Sequence, residues 1–352
     1  MQTLLRYYSF SLAFTALCFG LAAWYGWAST GSISATLGIL WIVVVLSILE
    51  VSLSFDNAVV NATVLRDMDP VWQQRFLTIG ILIAVFGMRI VFPIAIVAIA
   101  AGIGPSQAIE LSLNDPQEYE RIVSGAHISI AGFGGSFLAM VGLTFFFDSG
   151  KEVNWIEPIE RAVNRFSDVP AVEIGLVLAL VYGVSTLLGD ADAQTFLHAS
   201  ILGLLTFIGV NAIGSMIEQR ETRKKAAGEI VRSGLGGFLY LEVLDASFSF
   251  DGVIGAFALS NNMIIIALGL SVGAMFVRSM TIHLVRTGTL AQYRYLEHGA
   301  FWAIIVLGFI MLVSARYHIP ETITGLIGAV LIGLSLLWSI RFNRRQQPSQ
   351  ES

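Results

Sequence analysis

Residues 37–57 read LGILWIVVVLSILEVSLSFDN: thirteen residues without a charge, then Glu50, two serines spaced around Leu53, and Asp56-Asn57. An apolar helix of about 20 residues spans a hydrocarbon core of ~30 Å. This run therefore predicts a membrane-spanning helix over 37–64, with two carboxylates well inside the apolar stretch. An Asp at the centre of such a helix costs about 2.5–3.5 kcal/mol on insertion scales. A chain that keeps Glu50 and Asp56 there is using them.

The rest of the chain has the same character. Of its 352 residues, 55% are hydrophobic and 13% charged, with mean hydropathy +0.75. A soluble protein carries about a quarter charged residues. Apolar runs mark ten spans, about 9–28, 37–64, 76–102, 126–148, 172–189, 194–217, 235–259, 263–285, 299–315 and 320–340. The expectation is an all-α, polytopic membrane helical bundle forming one membrane domain, 1–352.

Lysine and arginine test that count independently. Of the 20, sixteen fall in the loops and tails of one side, only Arg121 and Arg316 fall on the other, and Arg89 and Arg278 lie within spans. Cytoplasmic loops carry the excess of cations. Both termini are thus expected in the cytoplasm, in a multi-pass protein of the cell (inner) membrane. The first run is too long for a signal-peptide core, and Trp24, Tyr25 and Trp27 stand where a small-residue cleavage site would be. Cys18, the one cysteine, excludes an internal disulfide. Three loops have some size: an acidic outer loop 103–125, an inner loop 149–171 with room for a short interfacial helix near Trp155 and Ile156, and a basic inner loop 218–234 suited to anionic lipid. No nucleic-acid motif, phosphate-binding glycine loop or soluble catalytic domain is present. No intramembrane nucleophile can be named, so the chain does not read as an enzyme.

The 37–57 motif recurs. Asp245-Ala-Ser-Phe-Ser-Phe-Asp251-Gly252 aligns with Glu50-Val-Ser-Leu-Ser-Phe-Asp56-Asn57 at an offset of 195. Each copy is followed in the next span by an arginine, Arg89 or Arg278. With ten spans the copies run in opposite directions. Inverted repeats, here 37–148 and 235–340, are the mark of many secondary transporters, whose substrate sites sit near the midplane where the copies meet. Glu50, Asp56, Glu242, Asp245 and Asp251 are the candidate acids; Ser54 and Ser249 are supporting hydroxyls. Buried pairing with Arg89 and Arg278 is the structural alternative, but five acids against two arginines leave an excess. Residues six apart lie about 240° apart on an ideal helix. Either the helix unwinds at Ser-Phe-Asp, or only some acids meet an ion together. Carboxylates, the Asn57 amide, hydroxyls and carbonyls are hard donors that suit Mg²⁺, Ca²⁺ or Mn²⁺ and argue against Cu(I) or a Cys/His zinc site.

Glu50 through Asn57 with Gly87-Met88-Arg89, and Phe248 through Gly252 with Arg278, resemble the paired motifs of the TerC family of integral membrane proteins. Those motifs read acid-x-x-Leu-Ser-x-Asp-Asn and Asp-x-x-Phe-Ser-x-Asp-Ser. The resemblance covers spans two to eight and departs at Gly252, where the family commonly has Ser. It implies an exporter of a divalent cation, Mn²⁺ favoured, with Glu50, Asp56, Asn57, Asp245 and Asp251 as the metal site. The ion is substrate rather than cofactor; the bilayer is the other partner, and homo-oligomerisation is left open. The alternative is a non-transporting membrane scaffold in a metal or tellurite stress-response complex.

Overall fold

The computed structural model describes residues 2–148, 153–166, 169, 171–226, 234–317 and 319–346. Among them all regular structure is helical. The chain opens with α1 (Gln2–Thr30), α2 (Ile33–Leu53) and α3 (Phe55–Arg66). Next, α4 (Pro70–Arg75) runs through two π-helical stretches, Phe76–Gly80 and Ile83–Val91, into α5 (Phe92–Ala101). A hairpin of α6 (Pro105–Asn114) and α7 (Pro116–Gly125) leads to α8 (His127–Phe146) and the short α9 (Glu157–Asn164). The second half holds α10 (Val172–Ser185), α11 (Asp190–Ala226), α12 (Leu235–Phe257), α13 (Met263–Thr287), α14 (Thr289–Gln292), α15 (Leu296–Ser314) and α16 (Glu321–Gln346).

Eight helices among the described residues are long and apolar enough to cross a membrane: Tyr7–Thr30, Ile33–Leu53, Pro70–Ile99, His127–Phe146, Asp190–Arg223, Met263–Thr287, Leu296–Ser314 and Ile323–Arg345. The other two expected spans fold as α10, a shorter apolar helix, and as α12, 23 residues long with three acids in it. The protein is an all-α, multi-pass membrane protein.

Three expectations need correction. Span 37–64 is not one helix: α2 ends at Leu53, Ser54 sits outside helical geometry (φ −105°, ψ 16°), and α3 starts at Phe55. The acidic loop 103–125 is two helices rather than a loop. Pro105 and Pro116 occupy first-turn positions, where a missing N–H costs nothing. Asp115 Oδ1 caps α7 by accepting from the Glu118 N–H at 3.1 Å. On the surface of α7, hydrogen bonds from Arg121 hold the Glu118 carboxyl below its ordinary range. Thirdly, part of the basic loop 218–234 is helix, since α11 continues to Ala226 and carries Arg220 and Arg223; residues 227–233 lie outside the described set.

The second π-helical stretch has a local cause. Pro93 has no N–H, and its ring crowds the carbonyl four residues back, at Arg89. Widening the turns ahead of it relieves both problems, and Phe92 N–H bonds to Gly87 O in the i−5 pattern.

α2 packs on α13, with α1 against both, while α8 lies between α11 and α15, and α16 covers α15. Helix α9 is held by one buried carboxylate. Glu160 accepts from the backbone N–H of Trp155 and Ile156, both at 3.1 Å, and from Trp302 Nε1 at 3.0 Å; His298 Nε2 is 3.6 Å away. His298 is buried as well. Glu160→Ala strands three donors, and a buried unsatisfied group costs about 1–3 kcal/mol. Hydrogen exchange across α9 should rise well above that of the wild type. Unchanged protection would show that α9 docks through its apolar face alone.

Candidate functional site

The second motif copy lies on α12, which α3 crosses in the opposite direction. Asn57 near the start of α3 meets Asp245, while Val64 near its far end and Met68 just beyond it face Gly237. The contact between copies is reciprocal. Asn57 Nδ2 donates to Asp245 Oδ1 at 2.6 Å. In the other direction Gly252, the counterpart of Asn57 at offset 195, lies against Glu50, the counterpart of Asp245: a Cβ on Gly252 would sit 3.0 Å from Glu50 Oε2. Each copy thus presents its acid to the residue seven places along in the other.

Both acids are arginine-paired. Arg89 Nη2 donates to Glu50 Oε1, and Arg89 Nη1 to Ala84 O at 2.7 Å within the π-helical stretch. Ser54 Oγ, at the break, adds a hydrogen bond to Glu50 Oε1 at 3.2 Å. Arg278 Nη2 lies 3.2 Å from Asp245 Oδ2 and 3.7 Å from Glu242 Oε1. The same guanidinium donates to Gly80 O at 3.1 Å and lies 3.8 Å over the Phe76 ring. All five of these charged groups are buried.

Asp56 points elsewhere. The Ser54 break turns it away from Glu50, and its Oδ1 accepts from the Asn57 N–H at 2.9 Å. Asp56 lines a cavity of about 20 Å³ with Ser52, Phe248, Thr324 and Gly328. That volume suits a single water-sized occupant. Of the other hydroxyls, Ser247 bonds back to Val243 O, whereas Ser249 Oγ is buried with no partner. Asp251 lies further along α12, and its side chain is outside the described residues.

The candidate acids are therefore spread over three neighbouring places: Glu50 with Arg89, Asp245 and Glu242 with Arg278, and Asp56 against α16. Among the described residues no three of His, Cys, Asp and Glu form a group that would hold a metal. Sequence reasoning missed Gly80 and Thr324, which line these places, and Asn61, whose Oδ1 is buried without a hydrogen-bond partner. Only Asn61 carried a signal, as an amide four residues after Asn57 in an otherwise apolar run.

A helical bundle with buried acid–arginine pairs where two antiparallel motif helices cross is a membrane protein with a polar centre. It belongs to the family described as a protein of unknown function, DUF475, whose model it matches over residues 55–346. The match takes in α3 through α16, and Glu50 lies just before it. No curated protein and no solved structure matches the chain.

Proposed function

We propose that the protein is an exporter of a divalent metal cation, Mn²⁺ favoured, in the cell (inner) membrane with both termini in the cytoplasm. The observation that carries this reading is the reciprocal crossing of the two motif copies, Asn57 on Asp245 and Gly252 against Glu50, inside an apolar bundle. Ionisable residues at such depth are functional candidates by default, and repeat interfaces are where carriers hold their cargo. The likeness to the TerC motifs supplies the export direction and the preference for Mn²⁺. In this reading Arg89 and Arg278 neutralise Glu50 and Asp245 while no ion is bound. A dication arriving from the cytoplasm displaces them, and hard oxygens of Glu50, Asp56, Asn57, Asp245 and Asp251, drawn together from the separate places they occupy without it, replace part of its hydration. The arginines re-engage when the ion leaves.

The test is Mn²⁺ entry into liposomes holding the protein and a trapped metal-sensitive dye. Saturable entry is expected for the wild type, with loss of at least tenfold in Asp56→Ala and Asp251→Ala. Wild-type flux in both variants would remove these acids from the site. The second reading, a non-transporting scaffold, is favoured by one observation: Glu50 and Asp245 are each already matched by an arginine. It predicts no flux from folded protein with any divalent ion, and impaired folding when an acid is removed.

A further inference from the structure

The buried polar centre holds more acceptors than donors on one side. Asn57 Oδ1, Asn61 Oδ1 and both carboxylate oxygens of Glu242 are buried without a hydrogen-bond partner. The helix register gathers them. With Asn57 opposite Asp245 and Val64 opposite Gly237, Asn61 falls midway, against Tyr240–Leu241 beside Glu242, one turn from Asn57 on the same face of α3. The Asn57 amide is oriented by its bond to Asp245, which turns its oxygen away from that carboxylate. Unpaired acceptors in a bilayer interior are expensive, and they outnumber the one cation beside them, Arg278, whose Nη2 stands 3.7 Å from Glu242 Oε1, so the place favours a further cation.

We propose that Glu242 with the side-chain oxygens of Asn57 and Asn61 forms a receiving site for a partly hydrated divalent cation, one helical turn on the cytoplasmic side of the Asp245–Arg278 pair. The inference rests on the export reading and adds to it a first stage and a residue, Asn61, outside both motifs. A dication held at Glu242 repels Arg278 from Asp245. The arginine is not stranded when it moves, because Gly80 O and the Phe76 ring already hold it. Gly80 makes the room: a Cβ there would lie 2.6 Å from Glu242 Oε1 and 3.0 Å from Arg278 Nη1. The ion thus unlocks Asp245 before reaching it.

Asn61→Leu separates this role from a structural one. If Asn61 is a receiving ligand, its loss removes an unpaired buried acceptor, so the variant should melt at a temperature equal to or above that of the wild type. At the same time the Mn²⁺ concentration for half-maximal flux should rise about tenfold, with maximal rate within twofold. Asn61→Asp should shift that concentration the other way. Binding of Mn²⁺ to the full chain in nanodiscs, read by loss of the free-ion spin-resonance signal, gives the same comparison without transport. A lowered melting temperature in Asn61→Leu with unchanged Mn²⁺ dependence would overturn the site, and if Asp245→Asn still abolished flux, export itself would stand. A wild type that neither binds nor moves Mn²⁺ would remove the export reading and this stage with it.

Discussion

Arg89→Met is expected to destabilise the protein by about 3–5 kcal/mol, the usual consequence of leaving one member of a buried ion pair without its partner. Glu50 is closed in by α13, where a Cβ on Gly273 would collide with its Cβ and Cγ, and by Gly252 of α12. Water has little room to replace the guanidinium. Among the described residues the Ser54 hydroxyl would be the one remaining donor to the carboxylate, and Ala84 O would lose the Arg89 Nη1 hydrogen bond as well. Taking out both charges is a different case, because the pair's mutual attraction and its desolvation cost then vanish together. Glu50→Gln combined with Arg89→Met should therefore recover most of the loss. Unfolding in bicelles by steric trapping measures both variants on one scale. A single variant no worse than the double would show that Glu50 relies on Ser54 and the α2 break rather than on Arg89. The same comparison reports on mechanism, since an arginine that neutralises an empty site should be dispensable for folding once its acid is gone.

The centre was legible in the sequence because burying a carboxylate has a known cost. Glu50, Asp56, Glu242, Asp245 and Asp251 stood out against apolar runs, and the matching serines and arginines revealed the repeat. The six-residue spacing also demanded a choice between a break and a division of the acids. The structure takes both in the first copy, with a break at Ser54 and Glu50 and Asp56 facing different neighbours, whereas α12 stays helical through Ser249 and Asp251. Nothing in the two nearly identical motifs says which copy breaks. The π-helical stretches were partly legible, through Pro93, but the use of Phe76 O and Gly80 O as arginine acceptors is a tertiary contact. The α6–α7 hairpin was legible and misread: Pro105 and Asp115-Pro116 are helix starts, and its charge made it look like a loop.

The seam between α8 and α15 makes a second prediction with a large effect. Gly308→Ala should destabilise the bundle by up to about 3 kcal/mol, the upper part of the range for overpacking. Apolar side chains gain little by leaving lipid for protein, so helices in a membrane associate through close van der Waals approach, which small residues permit. Here the approach is backbone to backbone. A Cβ on Gly308 would lie 2.7 Å from Ala139 N and 3.1 Å from Gly135 O, and one on Gly135 would lie 2.9 Å from Leu312 N. No rotamer change relieves those contacts, so the helices must separate along their length. Gly134, one residue from Gly135 on α8, provides the control. A Cβ there would meet Met311 Cε at 2.6 Å, the free end of a flexible side chain that can swing aside. Gly134→Ala gains about the same 1 kcal/mol of helix propensity as Gly308→Ala, yet its steric cost is small, and it should be neutral or slightly stabilising. Equal destabilisation of the two variants would show that the seam tolerates backbone separation. In the export reading, with α8 closing the expected first repeat and α15 in the second, a rigid seam would confine any rocking between the copies to the α2–α3, α12 and α13 side, where the acids are.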